Sequence, residues 1–154
     1  MQQPTREPTH TELDLARMMA IAGDLQDALE MRGASALTPA LVEEIAGELG
    51  VREAHVYVAA ATMSEIPCAD DGEVAFTLCV GNCQKWGAAE LLEQVLDADG
   101  VRRANDEAGF AVIAKRCLDR CADAPVVQIR TSDGQAGLAP ASRASLEEAL
   151  AELG

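Results

Sequence analysis

Two short stretches decide the reading of this chain: Cys79-Val80-Gly81-Asn82-Cys83 and Cys117-Leu118-Asp119-Arg120-Cys121-Ala122-Asp123-Ala124-Pro125. Each holds two cysteines with three residues between them, and the interval between the pairs is long enough for one strand–helix–strand excursion. Four thiolates brought together from two neighbouring loops form a ligand set for an iron–sulfur cluster or a zinc ion. In a [2Fe–2S] cluster each iron takes two bridging sulfides and two protein thiolates, a count that Cys79, Cys83, Cys117 and Cys121 meet. The same four residues could hold a structural zinc, although zinc sites more often place two residues between paired cysteines. A thioredoxin-type dithiol needs Cys-x-x-Cys at a helix start, which neither pair supplies. On spacing alone the three readings stay open.

Working outward from the first pair, Val74 to Cys79 alternates as a half-buried strand does, with Gly81-Asn82 as the turn that follows it. Lys85 to Ala98 reads as a helix with Ala88, Leu91, Leu92, Val95 and Leu96 on its apolar face, ended by Asp99-Gly100. Val101-Arg102-Arg103 is a weak strand candidate. Phe110 to Ala114 is a better one and runs straight toward Cys117. After Pro125, Val126 to Arg130 gives a further strand, Ser132-Asp133-Gly134 a turn, and Ser145-x-x-Glu148 a capping box for a last helix ending at Leu153. This order of elements suggests a small thioredoxin-like α/β layer. Gly81, Ala122 and Ala124 are small enough to let backbone amides approach the sulfurs.

The first part of the chain is helical in pattern. Residues 1–11 form a polar, proline-containing lead-in expected to fray. Leu15, Met18, Ala22, Leu25 and Leu29 then recur at helical steps up to Gly33. Thr38-Pro39 opens a second helix with Leu41, Val42, Ile45, Ala46 and Leu49 inward, and Gly50 stops it. Arg52 to Met63 is a third, with Val56, Ala59, Ala60 and Met63 inward. Ile66 to Gly72 is punctuation. The expectation is therefore an α/β protein in two parts: a helical bundle over 1–67 and a thioredoxin-like domain that carries both cysteine pairs, the [2Fe–2S] domain of the resemblance given below, over 68–154.

Composition bounds the function. The 154 residues carry 12 Lys plus Arg against 26 Asp plus Glu, a net charge of −14 that repels a phosphate backbone and suits a basic protein partner. No apolar run approaches the ~20 residues of a bilayer span, and Met1 to Thr9 lacks the apolar core of a signal peptide, so the expected location is cytoplasmic. In that compartment five cysteines argue for metal or redox chemistry over structural disulfides. No Gly-x-Gly-x-x-Gly or Ser–His–Asp order is present, so no catalytic residues are assigned, and a nucleotide would be bound by another chain.

The residues also carry a resemblance. Leu37 to Val51, followed by Val56-Tyr57-Val58-Ala59, is similar to the helical lead-in of the thioredoxin-like [2Fe–2S] small subunit of respiratory complex I, a family shared with NAD-linked hydrogenases and formate dehydrogenases. Cys79-x-Gly81-x-Cys83 with Gly87-Ala88 resembles that family's first ligand pair. Cys117-Leu118-x-x-Cys121-x-x-Ala124-Pro125 resembles the second more closely. The resemblance runs from about residue 12 to the C-terminus. It implies that Cys79, Cys83, Cys117 and Cys121 all ligate a [2Fe–2S] cluster and that the chain carries single electrons. It further implies a flavin- and nucleotide-binding oxidoreductase subunit, with further clusters, as partner. A free-standing ferredoxin and a zinc-stabilised interaction module without redox role are the alternatives, and self-association is left open. The family usually has four residues inside its first pair where this chain has three, and Phe-Tyr where this chain has Thr62-Met63. The first difference implies altered loop geometry; the second bears on partner docking.

The remaining candidates read as follows. Cys68 lies outside the pairs and is expected to be a small packed residue or an idle thiol. His10 and His55 are expected to be structural or exposed. Trp86 either shields the metal or, as the simpler reading, anchors its helix to the sheet. Arg116 and Arg120 flank the second pair, where positive charge would favour the reduced state, so that Arg120→Ala should lower the midpoint potential.

Overall fold

The computed structural model describes residues 8–118 and 123–153. The first three helices are α1 (Leu15–Arg32), α2 (Pro39–Leu49) and α3 (Glu53–Met63). Their ends follow local chemistry. Asp14 caps α1 by accepting from the Arg17 amide at 2.9 Å, and Thr38 caps α2 by accepting from Leu41 at 3.2 Å. Gly33 (φ 64°) and Gly50 (φ 68°) close these helices in the left-handed conformation that only glycine adopts freely.

The second half contributes β1 (Ala75–Cys79), a one-turn 3-10 helix (Asn82–Trp86), α4 (Ala88–Ala104), β2 (Ala111–Lys115), β3 (Val127–Thr131), β4 (Gly134–Leu138) and α5 (Arg143–Glu152). The strands form one sheet in the order β2-β1-β3-β4. β1 and β2 pair in parallel, with α4 as their crossover, and β3 runs antiparallel to both β1 and β4. The α/β architecture expected from the sequence is therefore present.

One apolar core joins the two halves. It takes in Leu25, Val42 and Tyr57 from the helices, Phe76, Leu78, Val112 and Val127 from the sheet, and Leu92 and Leu146 from the later helices. α3 lies at its centre, with Ala54 and Val56 to Ala60 all buried against neighbours that include α1, α2, α4 and β2. The punctuation around Pro67 is stitched down: the Leu37 amide donates to the Pro67 carbonyl at 2.9 Å, and the Ala69 amide to the Leu37 carbonyl at 2.8 Å. Among the described residues, no helix is long and apolar enough to cross a membrane.

Four expectations need correction. α4 does not end at Asp99-Gly100 but runs on to Ala104, so Val101 to Arg103 are its last turn and not a strand. The reason is tertiary. Asp99 is only 1% exposed, and its carboxylate accepts from the Phe110 amide at 2.6 Å and from Arg103 Nε at 2.7 Å. Those bonds outweigh the ~1 kcal/mol that a mid-helix glycine costs relative to alanine. The last helix is capped by Ser142, not Ser145: Ser145, at the third helical position, answers the cap, its amide donating to Ser142 Oγ at 3.0 Å and its Oγ accepting from the Ser142 amide at 2.8 Å. Starting there buries Leu146. Leu15 and Met63, expected inward, are exposed (60% and 37%), because the core is filled by Ile21, Leu25 and Leu29 of α1 and by the earlier turns of α3. Finally, the end of the lead-in is anchored, as described next.

A candidate cysteine-ligated metal centre

Cys79 is the last residue of β1, which lies between β2 and β3, and it is 2% exposed. The chain continues beside β2 for one more residue, with the Val80 amide donating to the Lys115 carbonyl at 2.7 Å. At Gly81 it passes so close to the Arg116 carbonyl that a Cβ there would overlap the oxygen. The 3-10 turn then brings Cys83, 1% exposed, back beside Cys79, so the two thiols hydrogen-bond. Gly87 (φ 96°) ends this turn and opens α4. Three residues between the cysteines are thus enough to close the pair, because the chain enters a tight helical turn at Asn82.

The second loop comes to the first pair through its backbone. The Cys79 thiol lies 3.5 Å from the Arg116 carbonyl, to which it donates, and the amides of Leu118, Gly81 and Cys83 point at its sulfur. The hydrogen bond from Cys83, helped by those amides, holds the Cys79 thiol down at about 6 against the burial that pushes it up. Cys117 is half-buried between Arg116 and Leu118 on this loop. Cys121, Arg120 and Ala122 lie outside the described residues. Among the described residues no three Cys, His, Asp or Glu side chains converge on one point. The structure therefore joins Cys79 to Cys83 and sets Cys117 on the adjoining loop.

Apolar groups wall the thiol pair. Trp86, Ala88 and Ala124 are buried against Cys79 and Cys83, and Leu118 packs on the same cluster. Trp86 thus covers the sulfurs and does not belong to the sheet core, which favours the shielding role over the anchoring one.

Two contributors escaped the sequence reading. Gln84 is 4% exposed, and its Nε2 donates to the carbonyls of Val80 at 2.8 Å and Gly81 at 3.3 Å. Its Oε1 accepts from the Leu13 amide at 2.9 Å. The expected frayed lead-in is corrected here for its described part. The amides of Thr9 and His10 donate to the Lys85 carbonyl at 2.8 and 3.0 Å, and Lys85 Nζ lies 3.4 Å from Glu12. A polar residue beside a cysteine, and a polar segment before a helix, carry no local signal of such burial.

The other candidates fall elsewhere. His10 sits against Gly87 and 3.7 Å from Glu90, while His55 is half-buried in α3, where desolvation lowers its pKa. Cys68 packs half-buried against the main core, and burial pushes its thiol up.

The donor chemistry fits a thiolate-ligated cluster: two buried adjacent sulfurs, one readily ionised, amide donors aimed at sulfur, and a dry wall around them. The chain matches the thioredoxin-like [2Fe-2S] ferredoxin family over residues 9–153, a span that takes in every helix and strand described above and both cysteine pairs. Comparison with curated proteins gives no match.

Proposed function

Because the chain belongs to the thioredoxin-like [2Fe–2S] ferredoxin family, which binds a [2Fe–2S] cluster and transfers electrons through it, we propose that Cys79, Cys83, Cys117 and Cys121 are the ligands here. The observation that carries this assignment is the buried Cys79–Cys83 pair lying under the backbone of Arg116 to Leu118. When bound, the cluster supplies a one-electron couple between ferric and ferrous iron. The chain's residues tune it. The amides of Gly81, Cys83 and Leu118 stabilise negative charge on the Cys79 sulfur, and Trp86, Leu118, Ala88 and Ala124 keep water from the pair.

In this reading the chain is the small accessory subunit of a NAD(P)H-linked oxidoreductase in the cytoplasm, working beside a flavin- and nucleotide-binding subunit that carries further clusters. Two features support a docked role. Leu15, Met19 and Met63 are exposed, and Leu15 and Met63 line a cleft of about 370 Å³ that also includes Cys117. The net charge of −14 complements a basic partner face.

Metal and sulfide analysis of anaerobically purified protein, with EPR before and after dithionite, tests the ligand assignment. About two irons and two sulfides, a signal that appears on reduction, and loss of both in the Cys83→Ser and Cys121→Ser variants are expected. One zinc per chain, or a cluster unchanged in both variants, would refute it. Co-expression tests the docked role: a flavoprotein that co-purifies supports it, and a lone chain that carries electrons by itself points to a free-standing ferredoxin.

A further inference from the structure

We infer that Gln84 is a positioning residue for the cluster, and that it makes the N-terminal strap part of the site. The inference rests on the proposal that Cys79 and Cys83 are ligands. Gln84 follows Cys83 directly, and its side chain is as buried as the core, yet it faces the backbone of the loop between the two cysteines. Nε2 holds the carbonyls of Val80 and Gly81, which occupy the residues just after Cys79. These two bonds keep the loop folded back over the 3-10 turn, so that the Gly81 amide can point at the Cys79 sulfur. Oε1 is not idle: the Leu13 amide fills it at 2.9 Å across 71 residues of chain.

The strap reinforces that contact from outside. The Thr9 and His10 amides on the Lys85 carbonyl, and Glu12 beside Lys85 Nζ, fasten it just before the Leu13–Gln84 contact. One buried amide side chain therefore uses its donor group on the ligand loop and its acceptor on a distant segment. An apolar side chain of similar size would leave the Val80 and Gly81 carbonyls and the Leu13 amide without this partner. The loop would then be held only through its edges, and the sulfurs could drift from the geometry the cluster needs.

The test uses the full-length chain loaded with its cluster. Gln84→Met keeps the volume and removes all three bonds; Leu13→Pro leaves Gln84 in place and removes the strap amide together with the leucine side chain that packs on the core, and Leu13→Ala, which keeps the amide, is its control. Midpoint potential, the EPR g-values of the reduced cluster, and the rate of iron loss to a chelator are read for both. The expected result for Gln84→Met is a shifted potential and altered g-values, with iron lost roughly 10- to 100-fold faster, the usual effect of removing a group that orients a ligand. Leu13→Pro should speed iron loss in the same direction by a smaller factor, and it decides the matter if Gln84→Met does not fold. A packing role alone would lower the melting temperature and leave potential and g-values unmoved. That result, or wild-type iron loss in a folded Leu13→Pro chain, would overturn the inference. Cys83→Ser is the control. If it keeps an all-thiolate cluster, the ligand assignment fails; if it loses the cluster while Gln84→Met behaves as wild type, only the role of Gln84 fails.

Discussion

Replacing Gly81 with alanine should drive the two cysteine loops apart. The added methyl would overlap the Arg116 carbonyl oxygen, and because that atom is backbone it cannot rotate aside. Relief requires moving residues 80–82 away from residues 115–118. That motion strains the Val80–Lys115 hydrogen bond of 2.7 Å and the Cys79–Arg116 contact of 3.5 Å. Overpacking of this kind costs about 1–3 kcal/mol, and a lost hydrogen bond adds about 1 kcal/mol. For a chain of this size each kcal/mol lowers the melting temperature by about 2–4 °C, so the metal-free variant should melt roughly 4–16 °C below wild type. Thermal unfolding followed by circular dichroism measures the shift. Thiolate absorbance near 240 nm supplies a second readout, since Cys79 should titrate higher once the Leu118 amide withdraws. Gly23→Ala in α1 calibrates the experiment, because a Cβ there meets nothing within 4 Å and should stabilise by up to about 1 kcal/mol. If Gly81→Ala melts with wild type and leaves the titration unchanged, the close approach does not hold the loops together.

Two further perturbations follow from the same site and from the end of α4. In the metal-free protein Cys79 titrates at about 6, well below the ~8.5 of an unfolded thiol. The unfolded chain therefore binds more protons across that window. Stability should climb as pH rises from 6, be fully present above the unfolded value, and be lost as pH falls through 6. Urea midpoints across this range should show the climb, and Cys79→Ser should flatten it; a flat wild-type profile would count against an ionised Cys79. Asp99→Ala removes the buried carboxylate that joins Arg103 to the Phe110 amide, and should cost about 3 kcal/mol in urea unfolding. A loss below 1 kcal/mol would mean that another contact carries the end of α4.

The legible parts of the fold were those with local causes. The apolar stripe up to Gly33 in α1, and Thr38-Pro39 with Gly50 around α2, mark their helices because periodicity and caps are set within a few residues. The strands before each cysteine pair were visible for the same reason. Where the reading slipped, a distant partner had changed the outcome. Asp99-Gly100 is a good stop in isolation, but the Phe110 amide, 11 residues on, recruits the carboxylate and the helix continues. Met63 sits at a helical inward position, yet the earlier turns of α3 already fill the core.

The candidate site divides along the same line. Cysteine spacing follows from the covalent chain, and it alone placed four thiols in two pairs and drew attention to the family's motif. Only the folded chain decided that Gly81 must be glycine, that Trp86 covers the sulfurs, and that Gln84 is buried between the ligand loop and Leu13. The physical reason is range. Caps, turns and side-chain periodicity arise from neighbours in sequence, whereas the burial of a polar side chain depends on whether a donor or acceptor far along the chain arrives to meet it.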